Sequence, residues 1–278
     1  MDDRVPDETL GVLAAACGAR SVELVRIDAR RFDFSARGAL TAGDMLFRPA
    51  VSLAAIRVEE ALYADGVATF HADADAVFRP AVGTPRFLER SGVPVPRTLP
   101  CTTTDRSRLR RYVEFLGGLP VVVKVLGGEG GVGVLRADSL PALFSLVDFL
   151  VAEGRLPHLL AYVADAVHWR VIVVGGATPV AYENPVARDD FRSVATADPS
   201  KVTEDVAADL SEVALRAAAS LRTELAGVDV LRHPSGRLYV LEANSPCYFA
   251  HAQRIAGTDV AGCMLDHLLA KRRRLMAR

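Results

Sequence analysis

The sequence predicts a mixed α/β and α+β fold. A small N-terminal α/β lobe over residues 1–75 precedes a larger unit over 76–278, with a central α+β subdomain at about 97–163 and a C-terminal one at about 164–270. Three observations predict this. Strand-like and helix-like stretches alternate as far as an acidic connection at 71–75, the order of an α/β lobe. The run GVPVP at 92–96 then forces extended backbone, because proline fixes φ and keeps its predecessor out of the helical region. Further on, residues 226–231 and 237–241 are apolar and β-branched on either side of HPSG at 233–236, which reads as a β-hairpin.

In chain order, Asp7 is placed to cap a helix through Leu10, Leu13 and Cys17, and residues 21–27 alternate as a strand does, ending at Asp28. Residues 44–47 and 66–70 read as short strands flanking a helix over 51–63, with Leu53, Ile56 and Leu62 among its apolar positions. A helix over about 83–90 leads to the proline-rich entry and a strand at 97–101. Asp105 opens a helix to Leu116, residues 120–126 form an apolar strand containing Lys124, and a glycine-dense loop leads to a strand at 132–135. Ser139 starts a helix to about Val151, and 159–163 is a strand. That order describes a compact α+β subdomain. A hairpin over 169–174 and 178–182 turns at Gly175 and Gly176, and an Ala-rich helix runs from about Val202 to Leu221. The 226–241 hairpin follows, and an amphipathic helix covers 255–269.

Composition narrows the classes of function. With 50% hydrophobic and 24% charged residues in 278, the chain has the make-up of a soluble globular protein. Lys+Arg 33 against Asp+Glu 34 gives a net charge of -1, with no basic bias toward nucleic acid. The basic run KRRR at 271–274 reads as a solvated helix end. The four cysteines, at 17, 101, 247 and 263, are too scattered for a zinc pattern or a dense disulfide framework, which favours a reducing cytoplasm. MDDRVPDETL lacks the features of a signal peptide, and no stretch approaches the ~20 apolar residues that span a bilayer.

The hairpin delivers Asp229, Glu242 and Asn244 to one end, and Glu242 and Asn244, two residues apart, share a face of their strand. Carboxylates beside apolar strands are costly unless neutralised. This hard-oxygen set suits Mg²⁺, which is normally held by one or two carboxylates together with substrate phosphates. Capping of strand ends by the same acids is the competing reading. Behind Lys124 stand Gly127, Gly128, Glu129, Gly130, Gly131 and Gly133, a loop with five glycines in seven residues. It is neither a P-loop nor a dinucleotide fingerprint. Its backbone N–H groups can nevertheless approach an anion closely, and a strand lysine adds a point charge suited to phosphate. A flexible loop with Lys124 at its edge is the alternative, although a lysine in so apolar a strand requires a buried partner. Arg170, after Trp169, and Arg192, in DFRS at 190–193, can each hold phosphate or carboxylate bidentately. For either arginine taken singly, a surface salt bridge is the favoured reading.

Taken together, GVPVPRT, PVVVKVLGGEGGVGV, WRVIVVGG with VAYE, DFRS, AGVDVL, LEANSP and GTDVAG resemble the ATP-grasp superfamily. The closer likeness is to the branch of the ribosomal-protein S6 glutamate ligases and their relatives, which join a carboxylate to an amine. The segments occur in family order across about 190 residues, from Phe78 to Leu269. The resemblance implies an ATP-grasp fold in which two α+β lobes sandwich ATP. Lys124 would contact the nucleotide phosphates, the loop of Gly127, Gly128, Glu129, Gly130 and Gly131 would close over them, and the backbone of Leu160, Ala161, Tyr162 and Val163 would bind adenine. Asp229, Glu242 and Asn244 match the Mg²⁺ ligands, with Mn²⁺ as an alternative ion, and Arg170 and Arg192 match basic residues facing phosphate or the acyl group.

The implied activity is formation of an acyl phosphate from a small-molecule or peptide carboxylate and its capture by an amine, in the cytoplasm, by a protein expected to associate with neither nucleic acid nor membrane; such relatives commonly form homo-oligomers, and the oligomeric state of this chain stays open. A phosphotransferase that stops at phosphoryl transfer, or a nucleotide-binding protein without turnover, are the alternatives. Several positions depart from the family pattern. Ala81 stands where a further phosphate-binding lysine is usual, with Arg79 nearby. DFRS runs into Val194, and Asn184 and Pro185 replace a pair of arginines. The small loop after the last metal ligand becomes Pro246, Cys247, Tyr248 and Phe249. Cys247 is expected to line the pocket, since the chemistry needs no nucleophile from the protein.

Overall fold

The structure, a computed structural model, describes residues 5–35, 40–78, 85–125, 131–186 and 188–277. In the N-terminal part α1 (Asp7–Ala19) and α2 (Leu53–Leu62) form as the apolar spacing predicts, while the short α3 (Ala74–Val77) overlaps the stretch expected to be an acidic connection. Ser52 caps α2 by accepting from the Ala55 amide at 3.1 Å. Asp7 lies inside the first turn of α1 rather than capping it; Pro6 occupies the cap position.

The strands expected there do not form a sheet. Met45 and Ala68 make an isolated parallel bridge, and residues 21–27 form no ladder. The physical reason is visible at Phe70, whose carbonyl accepts from the Glu224 amide at 2.6 Å, while Ala72 donates to the Arg222 carbonyl at 2.8 Å. Backbone groups that could extend a local sheet are thus spent on the C-terminal part. The apolar side chains follow them, since Ala16, Cys17, Ala68 and Phe70 share one core with Ile172, Phe249, Met264 and Leu268.

After α4 (Pro85–Arg90), the central subdomain is a four-stranded antiparallel sheet in the order β1-β4-β2-β3, formed by β1 (Thr98–Pro100), β2 (Val121–Lys124), β3 (Val134–Ala137) and β4 (His158–Ala161). Two helices complete it, α5 (Arg106–Leu116) and α6 (Leu140–Ala152). Asp105 and Ser139 cap them, as their positions predict, through the Arg108 and Ala142 amides. Leu109, Leu143, Val147, Val121, Val123 and Leu159 form its core. Val121 and Val123 face inward, so the period of two puts Lys124 on the other face of β2, at the end of the strand.

The C-terminal subdomain is a five-stranded antiparallel sheet, β7-β6-β5-β8-β9, made of β5 (Val167–Val174), β6 (Ala177–Asn184), β7 (Val202–Thr203), β8 (Leu225–Arg232) and β9 (Leu238–Asn244). α7 (Ala208–Ser220) covers one face and packs on Val171, Val173, Ala226, Val228, Val230 and Val240. α8 (Ala250–Ala256) and α9 (Val260–Met276) cover part of the other face, over Ile172, Val174 and Leu225. Two helix expectations are corrected. The helix expected from Val202 begins only at Ala208, because Val202 and Thr203 pair with Tyr182 and Ala181 as a strand. The helix expected over 255–269 is two helices: Gly257, at φ 76, ends α8, and Asp259 caps α9 through the Gly262 amide.

One irregularity positions the chemistry. Asp229 pairs with Glu242 and Val230 with Val240, so Leu241 is an extra residue on β9. In an unbroken strand Val240 and Glu242 would share a face. The bulge instead lets Val240 enter the α7 core while Glu242 points to the opposite face.

Candidate active site

On the face away from α7, strand register places Tyr182, Arg170, Asp229 and Glu242 side by side across β6, β5, β8 and β9. Next to this row, toward Leu225, Ile172 pairs with Gly227 and Gly227 with Asn244. An apolar floor therefore gives way, one residue along each strand face, to a line of charge.

The charges neutralise one another. Lys124 Nζ, from the central sheet, lies 2.7 Å from Glu242 Oε2, and Asn244 Nδ2 donates to Glu242 Oε1 at 2.9 Å. Arg170 Nη1 is 3.2 Å from Asp229 Oδ2 and donates to the Gly227 carbonyl at 3.0 Å. Burial, with Asp229 only 7% exposed, pushes the Asp229 carboxyl up, but the adjacent Arg170 and the hydrogen bond from His168 outweigh it and leave it below the usual carboxylate value. Lys124, expected to need a buried partner, has a partner whose side chain is 37% exposed, and the structure brings Lys124, Arg170, Asp229, Glu242 and Asn244 into a single cluster. Two carboxylates and an amide carbonyl are the hard-oxygen set that fits Mg²⁺.

Gly227 permits the close packing here. A Cβ on it would lie 2.9 Å from Cys247 Cβ and 3.0 Å from Arg170 Nη1. Burial pushes the Cys247 thiol up to about 12, against the opposing pull of Arg170, so the thiolate needed for nucleophilic chemistry is scarce at neutral pH. Burial likewise raises the Tyr182 phenol.

Arg192 stands apart from the row. Its Nε and Nη2 are held by Asp190 at 2.6–3.0 Å, and its Nη1 donates to the Gly131 carbonyl at 3.1 Å. The Arg192 hydrogen bond holds the Asp190 carboxyl down at about 2. Arg192 thus grips the far end of the glycine loop. Gly127, Gly128, Glu129 and Gly130, together with Arg79 and Ala81, lie outside the described residues. Gly131 has φ 80, in the region that favours glycine. Leu160 is buried, and Ala161 donates its amide to the Arg97 carbonyl at 2.9 Å. Tyr162 lies under the Arg136 guanidinium, 4.8 Å from its ring centre, and Val163 follows half-buried. Register sets Ala161 three residues along the sheet from the Lys124–His158 pair, roughly 10 Å at strand spacing.

Two histidines escaped the sequence reading. His158 pairs with Lys124 across the sheet; burial, and then Lys124, lower its pKa, and its buried Nδ1 has no hydrogen-bond partner among the described residues. His168 Nε2 lies 3.0 Å from Asp229 Oδ1, and its Nδ1 contacts Ser193 Oγ. The available signal for His168 was its place two residues before Arg170, hence on the same strand face.

This mixed α/β architecture, with a cation and carboxylates meeting between two antiparallel sheets, is that of ATP-grasp proteins, and the chain belongs to the RimK-like ATP-grasp domain family, whose model matches residues 83–268. The ribosomal protein bS6–L-glutamate ligase of Escherichia coli (strain K12 / DH10B) is 31% identical over 185 residues, which is 65% of this chain and 60% of that protein. The chain therefore spans about 60% of the length of the curated relatives it matches. Among solved structures, the ATP-grasp ligase PsnB, complexed with a phosphomimetic variant of its minimal precursor, Mg and ADP, superposes with a TM-score of 0.71 at 18% identity, covering 96% of both chains. A RimK domain protein of Sphaerobacter thermophilus DSM 20745 gives a TM-score of 0.64 at 22% identity over 97% of this chain and 98% of that one. These likenesses establish the fold. Among the described residues, no helix is long and apolar enough to cross a membrane.

Proposed function

We propose that the chain is an ATP-dependent carboxylate–amine ligase that activates a substrate carboxylate as an acyl phosphate and couples it to an amine, releasing ADP and phosphate. The observation that carries this reading is the convergence of Lys124 and Arg170 with Asp229, Glu242 and Asn244 at the junction of the two sheets. Family membership supplies the chemical class. The relatives point to small-molecule or peptide substrates, since one is named for glutamate and ribosomal protein bS6 and another was solved with a precursor.

In this reading Asp229, Glu242 and Asn244 would hold Mg²⁺, which when bound would neutralise charge on phosphate oxygens. A carboxylate oxygen attacks the γ-phosphorus as its bond to the ADP oxygen breaks. Lys124 leaves Glu242 for the nucleotide phosphates, and Arg170 stabilises charge on the transferring group or the acyl phosphate, the kind of preorganised donor worth about 10²-fold or more. The amine then attacks the acyl carbon, phosphate leaves with the electron pair of the acyl–oxygen bond, and the nitrogen sheds a proton to solvent or to the departing phosphate. Arg192, gripping Gly131, anchors the loop that keeps water from the acyl phosphate. The backbone around Leu160, Ala161, Tyr162 and Val163 forms the adenine side of the cleft. Cys247 serves as a pocket wall.

The test is incubation of the chain with ATP, Mg²⁺, pooled carboxylates and hydroxylamine, with products resolved by mass spectrometry. A hydroxamate formed in step with ADP and phosphate is expected. A stable phosphorylated product with no nitrogen incorporated would replace the ligase reading with phosphoryl transfer.

A further inference from the structure

The loop at 190–193 is fastened on both sides of the cleft. On one side Arg192, its guanidinium fixed by Asp190, donates to the Gly131 carbonyl at the end of the glycine loop. On the other side Ser193 Oγ meets His168 Nδ1, and His168 Nε2 reaches Asp229 Oδ1 at 3.0 Å. The loop's base is held to the end of β6 by the Val194 amide on the Pro185 carbonyl, at 2.9 Å. A carboxylate oxygen can only accept, so Nε2 is the donor to Asp229 and Nδ1 is left to close on the serine hydroxyl. Arg170 approaches the other oxygen of the same carboxylate. Asp229 is therefore clamped between two strand neighbours, one of which answers to the 190–193 loop.

We propose that His168 is a positioning residue that locks the orientation of Asp229 to the seating of the 190–193 loop, so that the metal side of the site and the glycine-loop side are set together. The inference rests on the ligase reading above. It follows from the general behaviour of metal sites, where a partner that orients a ligating carboxylate matters nearly as much as the ligand itself. Neither His168 nor Ser193 is assigned contact with substrate. Their effect is on the geometry presented by Asp229 and, through Arg192, by Gly131.

The test uses the full chain and two readouts. The first is calorimetric binding of ADP with Mg²⁺ and with EDTA. His168→Ala is expected to weaken the Mg²⁺-dependent binding about tenfold while binding in EDTA stays as in the unmutated chain. His168→Gln, which can still offer a donor to Asp229 and an acceptor to Ser193, is expected to recover most of the loss. Ser193→Ala should weaken binding less, and adding it to His168→Ala should cause no further loss. The second readout is amide hydrogen exchange over 191–194 without nucleotide, which should speed up in His168→Ala and return in His168→Gln.

Wild-type-strength Mg²⁺-dependent binding by a folded His168→Ala chain would overturn the inference while leaving the ligase reading intact, and so would His168→Gln behaving no better than alanine. Capture of Ser193 by a fluorophosphonate, the mark of an activated serine, would also overturn it. If the unmutated chain shows no Mg²⁺-dependent nucleotide binding, the ligase reading itself fails and this inference with it.

Discussion

Lys124 Nζ lies 2.7 Å from Glu242 Oε2, so residues 118 positions apart join the central sheet to the edge strand of the C-terminal one. The Glu242 side chain is 37% exposed and that of Lys124 25%, so the pair neutralises two charges at the mouth of the site rather than in a dry core. In the proposed ligase reading the same pair brings the cation for the nucleotide phosphates to the carboxylates that would hold a divalent ion. Lys124→Ala is expected to lower turnover by about 10²-fold or more, and Lys124→Arg to restore little of it, since a planar fork does not replace a compact ammonium. Steady-state ADP release checks both.

Arg170 is the close cation for a carboxylate with almost no solvent contact. Removing one partner of such a pair leaves an uncompensated charge, so Arg170→Ala is expected to cost about 3 kcal/mol of stability. Arg170→Lys, which keeps the charge, should cost less. Urea midpoints at neutral pH measure the difference.

How much of this was legible in the sequence depends on whether a signal was local. The 225–244 hairpin was readable because apolar, β-branched runs flank a four-residue turn, and Lys124 stood out in an otherwise apolar strand. The bulge at Leu241 was not, although its trace is present: Leu238, Val240 and Ala243 are the core-facing residues, a spacing that no unbroken strand allows. The strands expected at 21–27, 44–47 and 66–70 had the right pattern, yet Phe70 and Ala72 gave their backbone groups to residues some 150 positions away. His168 shares a strand face with Arg170, but its role could not be read for the same reason, with partners 25 and 61 residues distant.

Gly227 is fixed by its neighbours rather than by its own φ. Gly227→Ala sets a methyl group against Cys247 and Arg170, an overpacking that costs about 2 kcal/mol. It should also displace Arg170 and lower turnover by about 10²-fold, the penalty for misplacement on the scale of an ångström. Unchanged turnover in that variant would remove Arg170 from the account.

Cys247, with its thiol raised to about 12, is expected to react with iodoacetamide at pH 7.5 more slowly than the exposed Cys263, as peptide mapping of the alkylated chain will report. Cys247→Ser should keep turnover within a few-fold of the parent. Loss of all activity on that change would point to covalent chemistry.

Acid stability tests the packing of the N-terminal part. Burial raises the Glu59 carboxyl, but His71 and Arg48 outweigh it and leave it below the ordinary value; at Glu224, His267 and Lys271 do the same. A carboxyl lowered on folding contributes its full stabilisation above the unfolded pKa, about 4.3, and loses it as pH falls through the folded value. The urea midpoint should therefore decline below about pH 4.3. Glu59→Gln should lower the midpoint at neutral pH and flatten that acid decline.

The most direct measurement is calorimetric binding of ATP to the unmutated chain and to Glu242→Ala, each with Mg²⁺ and with EDTA. Mg²⁺ is expected to strengthen binding to the unmutated chain, and Glu242→Ala, still folded, to lose that dependence. Equal Mg²⁺ dependence in the two proteins would contradict the assignment of Asp229, Glu242 and Asn244 as the metal side of a nucleotide site.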